Sequence, residues 1–228
     1  MKKVFFAILA LGMIFTSCKK ECESDVGQNK IYTDYELFYN QNEDKTHVVA
    51  RFRFGGPTGS LLELSDTTDA SVTFNGETLP YNIWYGGHHK EYMGQLEGGT
   101  FVYTNTNGVM YTNEVPTGKE IAFQPEFDTI TKGVAENLVW SGTALSSNEQ
   151  VGVFVGSWTW GEDALFVTTD YGATEVELGI AQKKDLALGN PTVYMDRSTV
   201  VDVAQGTPEG GKIRCKYRGT NTSVVVVE

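Results

Sequence analysis

His47-Val48-Val49-Ala50-Arg51-Phe52-Arg53-Phe54 is the stretch that decides the fold. Val48, Ala50, Phe52 and Phe54 fall on one face at a period of two, and His47, Val49, Arg51 and Arg53 on the other. A half-buried strand demands this alternation, because successive side chains leave opposite sides of an extended backbone. The preceding segment repeats it, with Tyr35, Leu37 and Tyr39 alternating with Asp34, Glu36 and Phe38. On this pattern His47 stands outward and is expected to be exposed.

Working outward, the strongest turn signals are Asn75-Gly76 and Asn107-Gly108. Asn-Gly tolerates the positive φ angles of a two-residue hairpin turn, so each pair is expected to close two antiparallel strands. Further strands are predicted at 119–124, 136–141, 150–158, 163–168, 174–180, 191–203, 212–218 and 223–228. No long stretch carries a 3.6-residue apolar period with caps, so the fold class is all-β. Roughly fourteen strands exceed what one sandwich commonly uses. A boundary near Val115-Pro116-Thr117-Gly118 predicts two tandem immunoglobulin-like β-sandwich domains, 31–116 and 117–228. One larger sandwich or barrel is the alternative.

The chain begins with Lys2-Lys3, an apolar run from Val4 to Phe15, and then Phe15-Thr16-Ser17-Cys18. The run is shorter than the roughly 20 residues of a membrane-spanning helix. It resembles a bacterial lipoprotein signal, with Phe15 where that family usually carries leucine. The resemblance implies a cleaved signal peptide at 1–17, lipidation of Cys18 and a disordered polar tether at 18–30. It places the protein in the cell envelope, held by a lipid anchor to a membrane, the outer membrane above all, on either face. Leu186-Ala187-Leu188-Gly189-Asn190-Pro191 with Thr192-Val193-Tyr194-Met195 resembles the corner before a late strand of fibronectin type III-like domains. Gly210 to Val227 resembles a closing hairpin. Together these features resemble tandem immunoglobulin-like lipoproteins of the Bacteroidota, a likeness that carries architecture and address rather than an activity. Secreted proteins of that group bear O-glycans at Asp, then Ser or Thr, then a hydrophobic residue or Thr. Asp66-Thr67-Thr68 and Asp128-Thr129-Ile130 fit that pattern at Thr67 and Thr129.

A net charge of −11 argues against a nucleic-acid partner. With Cys18 lipidated, Cys22 and Cys215 remain. Cys215 shares a face with Ile213 and Tyr217, opposite Arg214 and Lys216, so it is expected to be a free buried thiol rather than a partner for Cys22.

Chemistry-bearing patterns are sparse. His88-His89 with Glu91 invites a metal reading, but neighbouring strand residues point to opposite faces, and no His-Glu-x-x-His or Cys-x-x-Cys spacing is present. His88-His89 is expected on a solvated hairpin loop, and no metal or other cofactor is expected. Glu43, Asp44, Asp66 and Asp69 lack the spacing of a calcium loop. Gly55-Gly56-Pro57-Thr58-Gly59-Ser60 has no phosphate-loop lysine and reads as a turn. Ser157 lacks the second glycine of a nucleophile elbow, and all three histidines lie in the first half, so no catalytic residue is assigned.

Aromatic residues give the better lead. Trp84 and Tyr85 directly precede Gly86-Gly87, whereas Trp140, Phe154, Trp158 and Trp160 are expected to pack in cores. The expectation is a non-catalytic envelope module that binds or organises a protein or glycan partner, with Trp84, Tyr85, His88 and His89 as the contact cluster. The alternatives are a glycan-acting accessory protein or hydrolase, and a purely structural spacer.

Overall fold

The computed structural model describes residues 21–22, 24, 26–64, 69–156 and 161–228. The signal peptide, Cys18, Thr67, Ser157, Trp158 and Trp160 lie outside the described residues.

The fold is all-β and built of packed sheets, as the alternation predicts. Its first part contains β1 (Glu21–Cys22), β2 (Ile31–Asn40), β3 (Lys45–Phe54), β4 (Ser60–Glu63), β5 (Ser71–Phe74) and β6 (Glu77–Thr78). Then come β7 (Tyr81–Asn82), β8 (Gly87–Met93), β9 (Thr100–Thr104) and β10 (Met110–Glu114). The second part opens with β11 (Ala122–Phe123), β12 (Thr129–Thr131), β13 (Glu136–Ser141), β14 (Glu149–Val155), β15 (Ala164–Thr168) and β16 (Glu175–Leu178). It closes with β17 (Thr192–Asp202), β18 (Gly211–Arg218), β19 (Thr222–Ser223) and β20 (Val225–Val227).

One eleven-stranded sheet runs through the whole molecule in the order β1-β4-β3-β2-β18-β17-β14-β15, with β7, β8 and β19 attached at its sides. Its centre is a parallel pairing of β2 with β18, register Tyr35↔Ile213 and Leu37↔Cys215. Segments from the two ends of the chain thus meet in mid-sheet. Three small sheets, β10-β9-β5-β6, β11-β13-β16 and β12-β20, supply the remaining strands.

Two apolar cores result. In the first, Phe74, Phe101 and Tyr103 meet Tyr35, Phe52 and Val48 of the large sheet, all buried. Tyr35 stacks on Phe101 with centroids 4.6 Å apart. In the second, Trp140, Leu138 and Val176 meet Val151, Val153 and Met195. β18 serves both, giving Ile213 and Cys215 to the first core and Tyr217 to the second. The two sandwiches therefore share a sheet, an arrangement that the sequence does not announce. Truncating one of the buried aromatics would cost about 3–5 kcal/mol.

Local details bear on the sequence reading. Asn75 and Gly76 have φ 50° and 83° and join Phe74 to Glu77 directly, a two-residue hairpin turn. Asn107-Gly108 also closes a hairpin, but a longer one, because Asn105 Oδ1 accepts from the amides of Asn107 and Val109 and so organises the loop itself. The closing segment is not a hairpin with β18: β19 pairs with β17, and β20 pairs in parallel with β12. The segment predicted as strand to residue 180 ends at Leu178 and gives way to a single helical turn, Ile180–Lys183. Lys183 is fully buried there and donates to the carbonyls of Thr131 and Val134 and to Glu136. Phe154 turns to the outer face, 5.9 Å from the Tyr194 ring, while Trp140 is in the core as expected.

Candidate functional site

The register of β3 on β8 decides which histidines meet. Glu91 lies opposite His47, His89 opposite Val49, and His88 opposite Ala50. Paired residues share a face, so His47, His89 and Glu91 project from the outer side of the large sheet, while His88 projects into the first core. His47 and His89 are diagonal neighbours, and His47 Nδ1 lies 3.3 Å from His89 Nε2.

Tyr85 covers them. Gly86 at φ 59° lets the chain reverse after Tyr85, and Gly87 sits so close to β3 that a Cβ would stand 2.7 Å from the Ala50 carbonyl oxygen. Only glycine fits that approach. Arg51 Nε donates to the Tyr85 carbonyl at 3.1 Å and pins the turn. The Tyr85 ring then stacks on His89, centroids 3.5 Å apart and planes 15° apart, and its hydroxyl stands 3.3 Å from His47 Nδ1. His47 is consequently only 7% exposed. The alternation predicts its face correctly, but the expected exposure is wrong because Tyr85 reaches over from another element.

Carboxylates line the open side. Glu91 Oε1 lies 3.8 Å from His47 Nδ1, and Glu43 Oε2 lies 3.6 Å from His47 Nε2. Lys45 holds the other Glu91 oxygen at 2.9 Å. That hydrogen bond is the main reason the Glu91 carboxyl falls below its ordinary value. Burial, with the charges of His47 and Arg51, lowers His89, and the nearby Glu91 opposes this. Burial, Glu91 and Glu43 raise the Tyr85 phenol. One ligand atom from each of His47, His89 and Glu91 falls within 4.8 Å of the others, the set among the described residues able to hold a metal ion.

The remaining sequence candidates separate. His88 is a structural residue: Nδ1 is 2.9 Å from the Leu79 carbonyl oxygen, and Nε2 accepts from the Leu64 amide at 3.4 Å. Trp84 is 92% exposed and Ile83 71%, at the tip of the turn that carries Tyr85. Glu43 accepts from the Asn40 side chain and Asp44 from the Tyr39 hydroxyl, so both serve the β2–β3 turn. Thr129 is exposed and donates to Asp128. Cys215 is a free buried thiol, pushed up to about 11 by burial, with the Gly118 amide pulling the other way. It lines a cavity of about 340 Å³ at the seam between the two cores, with Tyr39, Tyr217, Leu96, Glu97 and Glu120.

No family model matches this chain, and no curated protein matches it.

Proposed function

We propose that this protein is a lipid-anchored envelope module that captures a protein or glycan partner on the Ile83–Trp84 tip. The observation that carries this is the 92% exposure of Trp84 on a turn that Arg51 and the Tyr85 stack hold firm. An exposed indole beside an exposed isoleucine, on a rigid support, offers a stacking face for a sugar ring or a hot spot for a protein surface. The chain's acidity disfavours nucleic acid as the partner.

The anchor rests on Phe15-Thr16-Ser17-Cys18. β1 (Glu21–Cys22) pairs with β4 and Val26 packs on the first core, so the segment expected as a disordered tether at 18–30 is tied to the fold instead. The sheet begins three residues after Cys18, within about 10 Å of it, and the module works close to its membrane. Metabolic labelling with palmitate that is lost in Cys18→Ala supports the anchor, and unlabelled wild-type protein refutes it. A glycan array and envelope cross-linking test the binding role. The reading predicts saturable binding without turnover, weakened at least tenfold by Trp84→Ala. Turnover of a glycan would replace it with a hydrolase, and indifference to loop changes with a spacer.

A further inference from the structure

The outer-face cluster sets more polar neighbours around one ring nitrogen than that nitrogen can bond. His47 Nδ1 faces the Tyr85 hydroxyl at 3.3 Å, His89 Nε2 at 3.3 Å and Glu91 Oε1 at 3.8 Å. A ring nitrogen either donates once or accepts once, whichever tautomer it adopts. Of the two within hydrogen-bond reach only one is served at a time, with Glu91 held nearby at 3.8 Å, in a setting where both imidazole rings are almost wholly buried. His88, next to His89, is held instead by main-chain groups, its Nδ1 facing the Leu79 carbonyl oxygen and its Nε2 the Leu64 amide.

We propose that His47 Nδ1, His89 Nε2 and Glu91 Oε1 form a site for a divalent transition-metal ion of the zinc class, closed over by Tyr85. Two ligands each about 2.0–2.1 Å from a tetrahedral zinc ion stand about 3.3 Å apart. That matches the 3.3 Å between the two imidazole nitrogens. The donor set, two imidazoles and a carboxylate, is one that zinc uses with a fourth position left for water or another ligand. The Tyr85 hydroxyl stands 3.3 Å from His47 Nδ1, one of the three proposed ligands.

The supporting groups agree. Glu43 faces His47 Nε2 at 3.6 Å, the place of the carboxylate that commonly receives the N–H of a metal-bound imidazole and fixes its tautomer. Lys45 takes Glu91 Oε2 and leaves Oε1 toward the histidines. Glu91 is half-exposed, so it is the ligand free to swing the last distance inward and the side from which an ion arrives. Both histidines stand on paired strands, a support rigid enough to hold a ligand geometry. Bound metal would fix Tyr85, and with it the orientation of the Trp84 tip.

The test is calorimetric titration of the full-length chain, in detergent, with Zn²⁺ as the probe. The wild type should bind one equivalent. His47→Ala and His89→Ala should each weaken binding at least a hundredfold. Glu43→Gln should cost about 10–100-fold, the usual loss for a group that only orients a ligand. Glu91→Gln, half-exposed and unable to disturb a core, covers the case in which a histidine variant fails to fold, and should also weaken binding at least tenfold. Addition of Zn²⁺ should change tryptophan fluorescence in the wild type, a change absent from both Trp84→Phe and His89→Ala. Absence of stoichiometric binding to the wild type would overturn the site. So would equal affinity in the wild type, Glu91→Gln and any folded histidine variant.

Discussion

Two polar clusters in this molecule invite comparison, the histidine group on the outer face and an ion pair buried beside the second core, where Arg197 lies opposite Val151 and Tyr217. Arg197 and Glu149 are 1% and 2% exposed and lie 2.6 Å apart. Arg197 also donates to the carbonyls of Thr143 and Ala144, and Glu149 accepts from the Ser146 amide and pairs with Lys119 at 2.9 Å. Opposite charges and main-chain groups answer each other there, although Arg197 Nε is buried without a hydrogen-bond partner. On the outer face, by contrast, three partners crowd one imidazole nitrogen and the carboxylates gather at the rim. Charges matched to opposite charges and carbonyls mark a structural clamp, and several polar groups crowded on one ring nitrogen mark a place for something to bind.

The largest effect should come from opening the clamp. Burying a charge is tolerable only when it is paired, and removing one partner typically costs about 3–5 kcal/mol. Glu149→Gln should therefore lower the melting temperature by on the order of 10 °C for a chain of this size. Urea denaturation showing a loss under about 1 kcal/mol would place Arg197 among partners sufficient without Glu149.

Acid sharpens the same contrast. Burial alone would raise the Glu149 carboxyl, but the Ser146 amide, Arg197 and Lys119 outweigh it and hold it at about 2. A carboxylate lowered on folding stabilises the protein above its unfolded value of about 4.3, and that stability drains away as pH falls toward the folded value. The difference corresponds to about 3 kcal/mol, present at neutral pH and lost between roughly pH 5 and 2. Stability measured against pH should fall through that window in the wild type and fall less steeply in Glu149→Gln. Parallel curves would show that Glu149 does not govern the acid limb.

How much of this was legible beforehand follows from where each signal lives. Alternation along 47–54 is local, and so the strands and their inward residues were readable. The Asn75-Gly76 turn was readable because its two residues carry the required φ angles themselves. The parallel pairing of Tyr35 with Ile213 was not, because register between distant segments leaves no mark in either. His88 and His89 point apart, as alternation dictates, but both are buried in β8 and not on the solvated hairpin loop expected, because β3 and β7 pair with that strand and Tyr85 covers its outer face. What the sequence could not show was that β3 would bring His47 alongside His89, or that Tyr85 would cover both. A site assembled across strands has no spacing to find.

Adjacent histidines provide the next comparison. His88→Ala should cost about 2–3 kcal/mol, since it empties a core position and leaves the Leu64 amide and Leu79 carbonyl without the ring. His89→Ala should cost less in metal-free buffer, because its polar contact is to a side chain already oversupplied with partners. Thermal melts of the two variants in the presence of chelator measure the difference. Equal losses would mean that the outer-face ring is as structural as the inner one.

The smallest stability effect belongs to the tip of the same turn. Trp84 is almost wholly exposed, so Trp84→Ala removes no buried area and should shift unfolding by no more than about 0.5 kcal/mol. That near-silence is what makes the variant useful. If the melting curve is unchanged while binding to an envelope partner falls, the loss belongs to the indole face and not to the sheet beneath it. A destabilisation beyond about 1 kcal/mol would mean that Trp84 packs against the fold in solution. The contact surface would then have to move to the seam cavity around Tyr39 and Tyr217.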